Sequence, residues 1–280
     1  MSRIKNTFKR LKKQGKTALI TFLAAGYPDL STTESLALEL VQRGSDIIEL
    51  GVPFSEPVAD GPIIQAAYQK ALEDGVGLKE VLTLVERIRE SSQIPLILMS
   101  YFKLVREYGL GAFAQRATAA GLDGVIVPDL ALEKAGELIG PARKYGLDTI
   151  FLISPASPAA GVKKVTRAST GFVYCASTAG VSGGRIEHPN GLRAYLAGVR
   201  SYTKKPLAVG FGVETAEQVR EISTFADGVV VGSALMRVVA ENLGSTPKIV
   251  RELGDKTADL ARGTRARADS ALAALLREGL

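Results

Sequence analysis

The sequence predicts an α/β chain of the (β/α)8 TIM-barrel class, with a helix added before the barrel and a helical tail after it. Three observations carry that reading. Eight short apolar runs recur along the 280 residues, longer segments of helical periodicity separate them, and no linker or composition shift marks a second domain. Strand runs that are apolar on both faces and separated by helices pair in parallel and are covered by those helices. Eight such units in one uninterrupted chain close into a barrel, so residues 1–280 read as a single domain.

The first segment carries Arg3, Lys5, Lys9, Arg10, Lys12, Lys13 and Lys16, while Ile4, Phe8 and Leu11 recur at helical spacing. This pattern is an amphipathic helix with a solvated basic face, and no nucleic-acid partner is expected from it. Strands are expected at 18–25, 46–52, 96–100, 124–128, 149–153, 171–176, 207–210 and 228–232. Helical periodicity marks 32–43, 78–91, 110–120, 132–145, 191–200 and 216–223. The tail, about 256–277, is rich in Ala, Leu and Arg and reads as helix.

Composition narrows the function. Hydrophobic residues make up 46% and charged residues 23%, with a net charge of +6, as in an ordinary globular chain. No apolar run is long enough to span a bilayer, and the first twenty residues lack the apolar core of a secretory signal. Cys175 stands alone and can form no internal disulfide, which fits a reducing cytoplasm. The single histidine, His188, falls in the loop-like Glu187-His-Pro-Asn190. Neither a Ser–His or Cys–His nucleophile nor a His-rich metal site can be built, so acid–base chemistry falls to Asp, Glu, Tyr or Lys.

The most informative stretch is Ile47-Ile-Glu-Leu-Gly-Val-Pro-Phe-Ser-Glu-Pro-Val-Ala-Asp-Gly-Pro62. One carboxylate, Glu49, lies inside an apolar strand, and a second, Asp60, sits in the loop beyond it. Enclosure disfavours the charged form, so the Glu49 pKa should rise toward neutrality, whereas Asp60 in a polar Gly-rich loop should stay ionised. Two carboxylates separated in this way can supply a general acid and a general base without a metal. The plainer reading makes Glu49 a barrel-interior residue paired with a cation and Asp60 a turn former. Glycine clusters come after three later strands, at Ala179-Gly-Val-Ser-Gly-Gly184, Gly210-Phe-Gly212 and Gly232-Ser-Ala234. Loops after the seventh and eighth strands, beside a helix N-terminus, are where such barrels hold phosphate.

With these residues in place, the sequence resembles the tryptophan synthase alpha chain family over essentially its whole length. The resemblance starts at Thr21-Phe-Leu-Ala-Ala-Gly-Tyr-Pro-Asp29. It is carried by the Glu49–Pro62 run and by Gly171-Phe-Val-Tyr-Cys-Ala-Ser-Thr-Ala-Gly-Val-Ser-Gly183. It implies retro-aldol cleavage of indole-3-glycerol phosphate to indole and glyceraldehyde 3-phosphate. Indole would then pass to a pyridoxal-phosphate-dependent beta chain in an alpha2beta2 assembly, and the alpha chain would need no cofactor or metal of its own. By resemblance, Glu49 protonates indole C3 and takes the glycerol hydroxyl proton, Asp60 accepts from the indole N–H, and Tyr174 lines the site beside Glu49. Phe22 and Ile126 would pack on the indole. Gly183, Phe211, Gly212, Gly232 and Ser233 would hold the phosphate, and Ser182 would hydrogen-bond Asp60.

Several positions depart from the family pattern. Glu56 stands where Asp is usual, Lys103-Leu104 where Asn is usual, Thr178 replaces Arg, and Ser182 replaces Thr. Glu56 and Lys103 would lie near the beta-chain surface, so pairing with a beta chain or activation by it is expected to change. Three competing readings are a stand-alone indole-glycerol-phosphate lyase, a catalytically idle regulatory subunit, and a Schiff-base aldolase using Lys103. The last requires a desolvated lysine, whereas Lys103 is expected to begin a polar loop.

Overall fold

A computed structural model of the protein describes residues 2–177 and 189–264. Its nine strand segments, all paired in parallel, are β1 (Ala18–Ala24), β2 (Ile47–Gly51), β3 (Leu96–Met99), β4 (Gly124–Ile126), β5 (Asp148–Ile150), β6 (Leu152–Ile153), β7 (Val173–Ala176), β8 (Leu207–Gly210) and β9 (Gly228–Val231). Their order is β5-β4-β3-β2-β1-β9-β8-β7-β6. The two ends of this sheet are separated only by Phe151, so β5 and β6 are halves of one strand and the sheet closes into an eight-position barrel. Phe151 itself bonds toward the β7 side: its N–H meets Ser169 Oγ at 3.2 Å and its carbonyl accepts from Tyr174 N at 3.2 Å.

The first helix, α1 (Arg3–Lys13), plugs the N-terminal end of the barrel. Its stripe of Ile4, Phe8 and Leu11 is buried. The strands meet it with glycine: a methyl group on Gly124 would lie 3.0 Å from Ile4 Cδ1, and one on Gly228 3.4 Å from Phe8. Phe8 also packs on Phe172, with ring centroids 5.7 Å apart.

Around this end one device recurs. An aspartate just before a strand accepts the N–H of a residue in the preceding strand through its carboxylate: Asp46 from Leu19 at 3.1 Å, Asp123 from Leu96 at 2.9 Å, and Asp227 from Leu207 at 3.0 Å. Each carboxylate also meets an arginine: Arg10 for Asp46, Arg3 and Arg89 for Asp123, and Arg200 for Asp227. Part of the basic face of α1 is therefore engaged in fixing the helix to the barrel floor.

The outer layer comprises α2 (Leu30–Gln42), α3 (Pro62–Glu73), α4 (Leu78–Ser91), α5 (Phe102–Tyr108), α6 (Leu110–Ala119), α7 (Ala135–Tyr145), α8 (Ala159–Ala168), α9 (Pro189–Arg200), α10 (Ala216–Ser223), α11 (Ser233–Glu241) and α12 (Thr246–Gly263). Four of these, α3, α5, α8 and α11, are not expected from the sequence. The expected tail helix starts earlier, at Thr246, and its portion beyond Thr264 lies outside the described residues. Lys103 is not at the start of a polar loop; it stands exposed in the first turn of α5. Among the described residues no helix is long and apolar enough to cross a membrane.

Candidate active site

The C-terminal ends of the strands surround a pocket of about 580 Å³, open mouth included. It is lined by Phe22, Glu49, Asp60, Ile126, Tyr174, Phe211, Gly212, Gly232 and Ser233. Nine residues expected from the sequence are thus brought together, from β1, β2, β4 and β7 and from the loops after β2, β8 and β9. Ser182, Gly183 and Thr178 lie outside the described residues, as does His188.

Strand register explains the central pair. Phe22 on β1 stands opposite Glu49 on β2, so both side chains share the inner face. Two residues further along β2, Gly51 keeps the same face open: a methyl there would collide with Phe22 Cζ and with the hydroxyl of Tyr68, which reaches in from α3. On the opposite wall Gly210 does the same for the Tyr174 ring. Tyr174 in turn meets Phe211 edge-on, with centroids 5.7 Å apart.

Glu49 is 1% exposed and Asp60 2%. Burial pushes the Glu49 pKa up to about 8, and the neighbouring Asp60 charge adds to the rise. Asp60 departs from expectation. Its loop folds down over the pocket, and burial raises its pKa to about 6, held back by a hydrogen bond from Tyr101. The Tyr101 hydroxyl donates to Asp60 Oδ2 at 2.7 Å and accepts from Ala59 N at 3.2 Å. Phe54 stacks on the Tyr101 ring at 4.7 Å, and Gln65 Nε2 donates to the Asp60 carbonyl at 2.7 Å. The order of the two acidities is as expected: near neutrality Glu49 is mostly protonated and Asp60 mostly ionised.

The opposite rim suits an anion. Phe211 has φ 75°, a left-handed conformation rare for a side chain of its kind, and Gly212 comes next with φ 71°. Such backbone costs about 1–3 kcal/mol and persists only where surroundings enforce it. Here Ser177 Oγ donates to the Phe211 carbonyl at 2.6 Å. Gly232 is the N-cap residue of α11, so the N-terminal end of that helix and the positive end of its dipole stand at the pocket.

Sequence reasoning missed Tyr101, Tyr68, Met99, Leu152 and Val230. Met99, Leu152 and Val230 line the pocket, and Tyr101 comes after β3 at the end of the barrel where functional groups gather. That position was the available signal for Tyr101. For Tyr68 it was the run Ile64, Ala67, Tyr68 and Ala71, buried at helical spacing after Pro62 at N1. Glu214 also lines the pocket, in contact with Arg237 at 3.1 Å. Lys103 does not line it.

The family model for the tryptophan synthase alpha chain matches residues 8–265. The tryptophan synthase alpha chain of Citrifermentans bemidjiense is 45% identical over 263 residues, covering 94% of this chain and 98% of its own. Among solved structures, a Mycobacterium tuberculosis tryptophan synthase chain superposes with a TM-score of 0.87 at 37% identity, over 94% of this chain and 98% of that one. The Legionella pneumophila tryptophan synthase subunit alpha gives 0.88 at 34%, with the same shares covered. A barrel closed around two enclosed carboxylates, matched along nearly its whole length at this identity, places the chain in the tryptophan synthase alpha chain family.

Proposed function

We propose that Glu49 and Asp60 carry out the family's lyase reaction in this chain, the cleavage of indole-3-glycerol phosphate to indole and glyceraldehyde 3-phosphate. The single observation behind these roles is the enclosure of both carboxylates in one pocket with separated acidities, about 8 for Glu49 and about 6 for Asp60. Protonated Glu49 gives its proton to indole C3. The positive charge then spreads onto the ring nitrogen, where the Asp60 carboxylate accepts the indole N–H and stabilises it. The Glu49 carboxylate next takes the proton of the glycerol hydroxyl as the carbon–carbon bond breaks. Its electrons return to the ring, releasing indole and the aldehyde, and Glu49 ends protonated as it began.

Phe22 and Ile126 flank the ring, and Tyr174 packs beside Glu49. Phe211, Gly212, Gly232 and Ser233 hold the phosphate through backbone N–H groups and the α11 dipole. Gly183 and Ser182 belong to the same proposal by resemblance alone. The partner is a tryptophan synthase beta chain that receives the indole in an alpha2beta2 assembly. Exposed Glu56 and Lys103 are the positions at which that pairing departs from the family.

The experiment is indole release from indole-3-glycerol phosphate by the purified chain, with and without a beta chain, beside Glu49→Gln. Acid–base catalysis is worth roughly 10²–10⁴-fold, so the variant should lose at least that much. Full activity in Glu49→Gln would sink the assignment. Strong activity without a beta chain, unaltered by adding one, would make the protein a free-standing lyase.

A further inference from the structure

Tyr68 has no place in the reaction just described and does not line the pocket, yet its hydroxyl stands at the Gly51 position of β2, two residues from Glu49. It lies on the buried stripe of α3 with Ile64, Ala67 and Ala71 and is itself fully buried. A phenylalanine would satisfy that stripe equally well. The extra oxygen carries a desolvation cost that an apolar ring avoids, unless it finds a partner. Among the described residues Tyr68 Oη has none, and the same holds for Glu49 Oε2.

The two orphaned atoms are neighbours by construction. Glu49 and Gly51 are two residues apart on β2 and face the same side, about 6.6 Å apart along the strand. The Tyr68 hydroxyl occupies the place where a Gly51 side chain would stand. The Glu49 carboxylate and that hydroxyl therefore stand on one face of β2, two positions apart. The other groups here are already engaged or differently placed. Asp60 is met by Tyr101, Tyr174 packs on Gly210 across the pocket, and Glu214 contacts Arg237. The Tyr68 phenol is held well above its ordinary acidity range by burial, and then by Asp60, Tyr101 and Glu49. It is therefore a neutral donor throughout the working pH range.

We propose that Tyr68 is a positioning residue for the lyase reaction: its hydroxyl turns to donate toward Glu49 Oε2 and stabilises the carboxylate formed once the Glu49 proton has passed to the substrate. At that moment two negative charges, Glu49 and Asp60, share one enclosed site. Each then has its own phenol, Tyr101 for Asp60 and Tyr68 for Glu49. This inference rests on the assignment of Glu49 made above.

The test is Tyr68→Phe, which keeps the ring and removes the oxygen, measured beside Glu49→Gln. The expected result is a fall in kcat of roughly tenfold or more with KM little changed. The alkaline limb of the pH–rate profile should move to higher pH, because Glu49 loses a donor to its charged form. Thermal unfolding supplies a readout free of substrate: the drop in Tm between pH 6 and pH 9 should be larger in Tyr68→Phe than in the wild type. In the Glu49→Gln background, Tyr68→Phe should leave that pH dependence unchanged. A wild-type alkaline limb and kcat in Tyr68→Phe, with or without a lowered Tm, would reduce the phenol to packing and overturn the proposal. If Glu49→Gln is itself fully active, the site assignment falls and this inference falls with it.

Discussion

The Tyr101 hydroxyl donates to Asp60 Oδ2 at 2.7 Å while accepting the Ala59 N–H at 3.2 Å, so one phenol ties both the carboxylate and the loop that carries it. Tyr101→Phe should therefore raise the Asp60 pKa above its present value of about 6, because the hydrogen bond favours the charged form. The acid limb of kcat/KM should move upward in pH, with losses of about tenfold near pH 6 and smaller ones near pH 8. A pH–rate profile of the variant checks this; an unmoved acid limb would mean that Asp60 does not govern it.

Glu49 makes stability depend on pH. Its folded-state pKa of about 8 lies above its ordinary 4.5, so between those values the folded protein binds more protons than the unfolded chain. Stability contributed by this group is then full below about 4.5 and is lost as pH rises through about 8. Glu49→Gln cannot ionise, so its Tm should gain on the wild type from pH 5 to about pH 8 and level off by pH 9. Parallel melts at those pH values decide it: a difference that stays flat would show Glu49 titrating alike in both states.

Gly210 leaves the space that the Tyr174 ring occupies. Gly210→Ala should push that ring into the pocket at a cost of about 1–3 kcal/mol for overpacking. Activity should fall further than stability, since the displaced ring narrows the site beside Glu49. Calorimetry together with steady-state kinetics separates the two effects; unchanged kcat/KM would mean the ring yields elsewhere.

Asp123 acts at the opposite end of the barrel. Its carboxylate accepts from Leu96 N and meets both Arg3 and Arg89, and the residue is buried. Asp123→Ala strands those donors and should cost on the order of 2–4 kcal/mol. The folded fraction should keep its kcat, because this face bears on stability rather than chemistry. Denaturant melts and activity per folded molecule test both halves of the claim.

Much of this architecture was legible in the residues. The strand positions come from continuous apolar runs, and Leu207–Gly210 and Leu78–Ser91 match expectation residue for residue. The plug helix α1 was readable from Ile4, Phe8 and Leu11 because a single stripe at helical spacing needs no tertiary context. By contrast, α8 buries only three side chains, Val162, Val165 and Thr166, and α5 only Val105, too few to make a visible pattern.

Site chemistry divides along the same line. That Glu49 would be enclosed and its acidity weakened was decided by its place inside an apolar strand, a local fact that the sequence carries. The environment of Asp60 was not local. Pro and Gly around it read as a polar loop, but folding brings Tyr101 from 41 positions away and buries the carboxylate beneath it. The aspartate–arginine clasps around the barrel floor and the approach of Tyr68 to Gly51 are likewise contacts between distant segments. Periodicity reports which face of an element is buried; only closure of the barrel decides which groups meet there, and burial together with those meetings sets their charge.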